Sequence, residues 1–139
     1  MKNIKGEVKE MQTEYEFFIA GRPRPKQRAK YSAKTGKFYT PKETLVYEKY
    51  INDITKEHVP LPLTGGIKLE LDMYYSATTK KPDMDNVIKS LLDGMTGAAY
   101  VDDSQVMEIH AIIRLVPGRE GQGVNIKITE VDKDAYKEG

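Results

Sequence analysis

The chain has 139 residues, 39% hydrophobic and 31% charged, with a formal net charge of +1 and no cysteine. That is the length of one domain with apolar residues enough for a core, and it excludes disulfides and thiolate metal sites. No apolar run is long enough to cross a bilayer, and "MKNIKGEVKEMQTEYEFF" lacks the apolar stretch of a secretory signal, so a cytoplasmic protein is expected.

Residues 1–14 are polar and aperiodic and read as a flexible tail before a domain over 15–131. "YEFFIAG" alternates Tyr15, Phe17 and Ile19 and stops at Gly21, the pattern of a strand. "RPRPKQRAKYSAKTGKFYT" has no helical period and a turn signal at Lys34-Thr35-Gly36; it predicts a basic loop entering a short hairpin. "TPKETLVYEKYINDITKEH" predicts a helix, with Thr40 as N-cap, Pro41 in the first helical position and Glu43 completing a capping box. Its apolar face is expected at Val46, Tyr47, Tyr50, Ile51 and Ile54.

"VPLPLTGG" resets the chain direction, and "IKLELDMYY" alternates strictly, with Ile67, Leu69, Leu71, Met73 and Tyr75 on one face. A second helix is predicted from about Asp85 to Met95, with Val87, Ile88, Leu91, Leu92 and Met95 inward. "VMEIHAIIRLV" and "VNIKITEV" are two further strands, separated by a flexible "PGREGQG" loop, and residues 132–139 read as a flexible tail. The fold class is therefore α/β (α+β): a small mixed four-stranded sheet plus a basic hairpin, with two helices packed on one face.

Charge is unevenly placed. Residues 22–42 carry only basic charges, whereas 83–103 hold five Asp against one Lys. Two such segments in one small domain suggest one surface for a polyanion and another for a cation. At 100° per residue, Asp85, Asn86, Lys89 and Asp93 share the polar side of the second helix. Asp83 precedes that helix, and Asp102 and Asp103 follow a Gly- and Ala-rich connection that permits the chain to fold back. Carboxylates from separate segments make a hard oxygen site of the kind that suits Mg²⁺. Helix capping alone is the plainer account of Asp83 and Asp85; the returning Asp102-Asp103 pair favours the metal. Lys89 either pairs with Asp85 at i,i+4 or contacts a phosphate. His58, at a helix end, and His110, on an outward strand face, are not expected to be catalytic.

"KPDMDNVIKSLLDGMTGAAYVDDSQV" closely resembles the hallmark of the RusA family of Holliday-junction resolvases: K-x-D-x-D-N, a lysine three residues after that Asn, a helix, then D-D-x-Q-V. "GRPRPKQRAKY…GKFYTPKETLVYE" is similar to the family's basic loop and first helix, and the resemblance covers nearly all of 15–131. It implies a RusA-like fold and a homodimeric endonuclease dependent on Mg²⁺, with Mn²⁺ as substitute, making paired cuts in four-way DNA junctions. By the same resemblance the essential carboxylates are Asp83, Asp85 and Asp103, the functional lysine is Lys89, and Asp102 supports the metal site. Arg22, Arg24, Lys26, Arg28 and Lys30 are the expected phosphate contacts. Tyr31 is a candidate for stacking on an unpaired base, whereas Phe38 is assigned to cross-strand packing. The rival readings are a non-catalytic branched-DNA-binding protein and, more distantly, a nucleotide-sugar transferase using D-x-D.

Overall fold

A computed structural model describes residues 13–139; the expected N-terminal tail falls almost wholly outside them. In chain order the elements are β1 (Glu14–Ala20), β2 (Lys30–Ser32), β3 (Lys37–Tyr39), α1 (Lys42–His58), β4 (Gly66–Ser76), α2 (Met84–Met95), β5 (Val106–Val116) and β6 (Gly123–Val131). The main sheet runs β1-β6-β4-β5, and β2-β3 form a separate two-stranded hairpin. β6 is antiparallel to both β1 and β4, whereas β4 and β5 are parallel, joined through α2. This is the mixed sheet with two helices that the alternation and helical periods predict.

Strict alternation in β4 puts Ile67, Leu69, Leu71, Met73 and Tyr75 in the core, all with no exposed surface. Val124, Ile126 and Ile128 of β6 and Phe17 and Ile19 of β1 extend the same layer. Val87, Leu91 and Met95 of α2 close it from above, together with Tyr47 and Ile51 of α1. Each such side chain contributes about 1.5–3 kcal/mol by leaving water. Among the described residues, no helix is long and apolar enough to cross a membrane.

Two expectations for α1 are corrected. The N-cap is Pro41, extended at φ −55° and ψ 145° with no side-chain cap, so neither Thr40 nor a Glu43 box caps this helix. The Pro41 carbonyl instead takes the amides of Thr44 and Leu45. The buried face is Thr44, Tyr47, Ile51 and Thr55, while Val46 and Tyr50 stand exposed. Thr55 tolerates burial because its hydroxyl bonds the Ile51 carbonyl at 2.7 Å inside the helix. Periodicity alone misses this, because it scores threonine as polar.

The last segment is more structured than its composition suggests. Lys133–Tyr136 forms a 3₁₀ turn capped by Asp132, and the Tyr136 hydroxyl donates to Glu108 at 2.7 Å. The "PGREGQG" connection likewise holds a short 3₁₀ turn at Arg119–Gly121, followed by buried Gln122, which accepts the Ser76 amide at 3.0 Å.

Candidate functional site

The basic loop is strapped across both helices. The Lys26 amide donates to the Asn86 carbonyl of α2 at 2.8 Å, and the Gln27 amide donates to the Thr44 hydroxyl of α1 at 3.1 Å. The Pro-rich sequence suits such a strap, since its extended backbone spends its few amides on neighbours. The cationic and acidic segments, distant along the chain, thus become one surface.

Within that surface the cations divide into two sets. Arg22 is a latch: its guanidinium donates to the Thr79 hydroxyl at 2.8 Å and the Lys80 carbonyl at 2.6 Å, and it lies 5.8 Å from the Tyr75 ring centroid. Lys26 is paired to Asp93 at 2.5 Å and to Glu48 at 3.2 Å. The Asp93 hydrogen bond chiefly raises the Lys26 pKa, against a smaller opposing effect of burial. Arg24, Arg28 and Lys30 are exposed. Arg24 also borders a cavity of about 520 Å³ with Gly21, Val46, Tyr47 and Tyr50. Tyr31 and Phe38 pair across the exposed hairpin, edge to face with centroids 5.3 Å apart.

The acidic residues are placed by caps and a tight return. Asp83 caps α2, accepting the Asp85 amide at 3.2 Å, and Asp85 sits exposed in the first turn. After α2 the chain turns at Gly97, whose φ of 83° suits glycine. The buried Tyr100 anchors the return by donating to the Leu92 carbonyl at 2.8 Å. Asp102 then caps a 3₁₀ turn over Asp103–Gln105 in a capping box with Gln105. Hydrogen bonds from Ser104, its side chain first and then its amide, hold the Asp102 carboxyl below its ordinary value. The Gln105 amide group fixes this turn by donating to the carbonyls of Leu63 and Gly65 at 2.8 and 2.9 Å.

The return brings Asp103 beside the middle of α2. Lys26, Lys89, Leu92, Asp93 and Asp103 line one cavity of about 290 Å³. Lys89 and Asp103, both expected site residues, therefore share one cavity. Asp85 lies one helical turn from Lys89, about 6 Å along the axis. Among the described residues no three carboxylates or imidazoles stand close enough to hold one ion, so Asp83, Asp85 and Asp103 are not gathered into a closed cage. The donor set fits a hard cation in kind: all three carboxylates are exposed, and Asp83 commits only one oxygen to its cap. Sequence reasoning placed Asp93 on the correct helix side but missed its bond to Lys26. An acid eight residues beyond Asp85 on the face of Lys89 is the signal that was available.

The family described as endodeoxyribonuclease RusA matches residues 20–129, most of the chain. The crossover junction endodeoxyribonuclease RusA of Aquifex aeolicus (strain VF5) is 25% identical over 122 residues, covering 86% of this chain and 95% of that protein. The uncharacterized protein YqaN of Bacillus subtilis (strain 168) is 24% identical over 116 residues, covering 67% of this chain and 82% of that protein.

Proposed function

The chain belongs to the RusA endodeoxyribonuclease family, and from that premise we propose that it is a metal-dependent, structure-selective endonuclease resolving four-way DNA junctions by paired phosphodiester cuts. The observation that carries this reading is the strap between the exposed cationic arm and the cavity that holds Lys89 and Asp103. DNA held by the arm would run over that cavity.

In this reading Arg24, Arg28 and Lys30 bind backbone phosphates without reading sequence. Arg22 and Lys26 hold the loop in place, and Tyr31 offers an exposed ring to an unpaired base. Asp83, Asp85 and Asp103 bind Mg²⁺ or Mn²⁺, with Asp102 fixing the turn that presents Asp103. The bound ion supplies charge neutralisation at the phosphate and a more acidic attacking water. Lys89 adds positive charge where the phosphate becomes more negative. A homodimer, acting in the cytoplasm, brings two such sites to one junction.

The capping bonds of Asp83 and Asp102 are what a non-catalytic DNA binder would also show. Incubation with labelled four-way, flap and duplex DNA, with and without Mg²⁺, separates the two. Paired nicks confined to branched substrates and to Mg²⁺ support the nuclease; binding without product under all conditions supports the binder.

A further inference from the structure

Three strands of the main sheet finish at the same end. β4 stops at Ser76, the parallel β5 at Val116, and β1, antiparallel to β6 as β4 is, at Ala20. The segments that follow them emerge together, and the one after β4 leads through Thr79 and Lys80 to Asp83. Gln122, 6% exposed, ties these segments to one another. Its carbonyl accepts the Gly21 amide at 3.0 Å, its amide donates to the Arg119 carbonyl at 3.2 Å, and its side-chain Oε1 accepts the Ser76 amide at 3.0 Å. Arg22 adds a further tie to the Thr79 hydroxyl and the Lys80 carbonyl, and that hydroxyl donates in turn to the Ser76 carbonyl at 3.2 Å.

Between these segments lies a cavity of about 460 Å³ lined by Arg22, Thr79, Lys80, Arg119 and Gln122. It shares no lining residue with the cavity at Lys89 and Asp103. Every side chain in the lining can donate a hydrogen bond, three carry a full positive charge, and none is an acid. Gln122 has its Oε1 committed to Ser76, so the group it has left is the donor Nε2. Glu120, next to Arg119 in the chain, is outside the lining; its carboxylate folds back to within 2.7 Å of where a Cβ on Gly118 would stand. Lys80 and Arg119 are both exposed, and among the described residues neither makes an ion pair. Like charges gathered around one cavity repel each other, and a bound anion relieves that repulsion.

We propose that this cavity is a phosphate subsite that grips the cleaved DNA strand beside the cut, through Lys80 and Arg119. Gln122 supplies a neutral donor, and Arg22 and Thr79 position the segment that presents Lys80. A guanidinium fork and an ammonium suit phosphate oxygens. Location selects the source of the phosphate. Lys80 stands three residues before Asp83, so their Cα atoms are at most about 11 Å apart. A DNA strand carries one phosphate per about 3.4 Å of axis. A strand with its scissile phosphate at the aspartates therefore has another at this cavity, about three nucleotides away or fewer. Holding the strand there fixes which phosphate meets the aspartates. The inference rests on the nuclease reading only for where the DNA runs.

Binding of the full chain to a labelled four-way junction in chelator reads the contact without cleavage. Lys80→Ala and Arg119→Ala should each weaken binding about tenfold and lower the salt slope by about one counterion, with the urea midpoint unchanged. A set of junctions, each with one phosphate near the cut replaced by an uncharged methylphosphonate, locates the partner. One such position, within about three nucleotides of the cut, should weaken wild type about tenfold and leave Arg119→Ala no weaker than it already is. Wild-type affinity and slope in both variants, or losses that simply multiply at every position, would overturn the subsite. Inorganic phosphate is the other source of the same anion. If it binds wild type but not Arg119→Ala, while neither variant changes DNA binding, the cavity serves a free anion and the strand contact is refuted. A chain that binds junctions in the expected pattern yet never cuts them removes the nuclease and leaves the subsite standing; a chain that binds no DNA overturns both.

Discussion

Gly94 of α2 packs directly against Ile51 of α1, and replacing it by alanine sets two effects against each other. An alanine in a helix interior is favoured over glycine by about 1 kcal/mol. The added Cβ, however, falls 2.7 Å from Ile51 Cβ and 2.8 Å from its Cγ2, well inside the ~3.5–4.0 Å of favourable carbon contact. Ile51 is fully buried and its branched Cβ cannot rotate away, so the helices must separate. Overpacking of this kind costs about 1–3 kcal/mol. With the clash at Cβ itself we expect the upper part of that range, hence a net loss of about 1–2 kcal/mol. For a urea slope of about 2 kcal/mol/M the midpoint falls by about 0.5–1 M. Separation would also stretch the bonds from the Asn52 side chain to the carbonyls of Gly94 and Thr96, at 2.9 and 3.2 Å, and disturb the neighbouring Lys26–Asp93 pair. In an Ile51→Ala background the cost of Gly94→Ala should shrink by at least about 0.5 kcal/mol. A Gly94→Ala chain more stable than wild type, or an equal penalty in both backgrounds, would refute the close-contact account.

Lys89→Ala should lower junction cleavage about 100-fold or more while leaving the urea midpoint unchanged, because its ammonium is exposed at the cavity; an unchanged rate removes it from the site. Arg28→Ala and Lys30→Ala should each reduce the salt dependence of DNA binding by about one counterion, whereas Arg22→Ala should lower stability and leave that slope alone, since its guanidinium is tied to Thr79 and Lys80. The reverse pattern in binding titrations would mean that Arg22 faces the DNA. Burial pushes the Tyr75 phenol up from 10.0 to about 12, and its hydroxyl has no hydrogen-bond partner among the described residues. A raised pKa means the folded chain keeps a proton that the unfolded chain loses, so stability should fall as pH rises from about 10 towards 12. Tyr75→Phe should flatten that fall in part in urea melts across the range; an equally steep decline would place the effect on other groups, of which Tyr47 and Tyr100, raised further by burial, are the first to consider.

Much of this molecule could be read from its residues, for physical reasons that differ by element. β4 and β6 were legible because each has one buried face, so that their apolar residues alternate without interruption. α1 was legible as a helix but not in its facing. Thr44 and Thr55 enter the core with their hydroxyls bonded to neighbours, and Val46 and Tyr50 are left beside an open cavity. At the site, the spacing of "KPDMDN" and "DDSQV" identified the acids, and the Asp102–Gln105 box explains how Asp103 returns towards α2. The latch of Arg22 on Thr79 and the pairing of Lys26 with Asp93 were not legible. They join residues 57 and 67 apart, and nothing in local composition distinguishes a tethered cation from a free one.

The central claim is that exposed aspartates from two segments act together on DNA through a divalent cation. Quantitative cleavage of a labelled four-way junction by wild type and Asp85→Asn, each with Mg²⁺ and with chelator, addresses it most directly. The account predicts paired cuts only for wild type with Mg²⁺, and junction binding that persists or tightens in Asp85→Asn. Equal cleavage by the two proteins, or cleavage that continues in chelator, would contradict it.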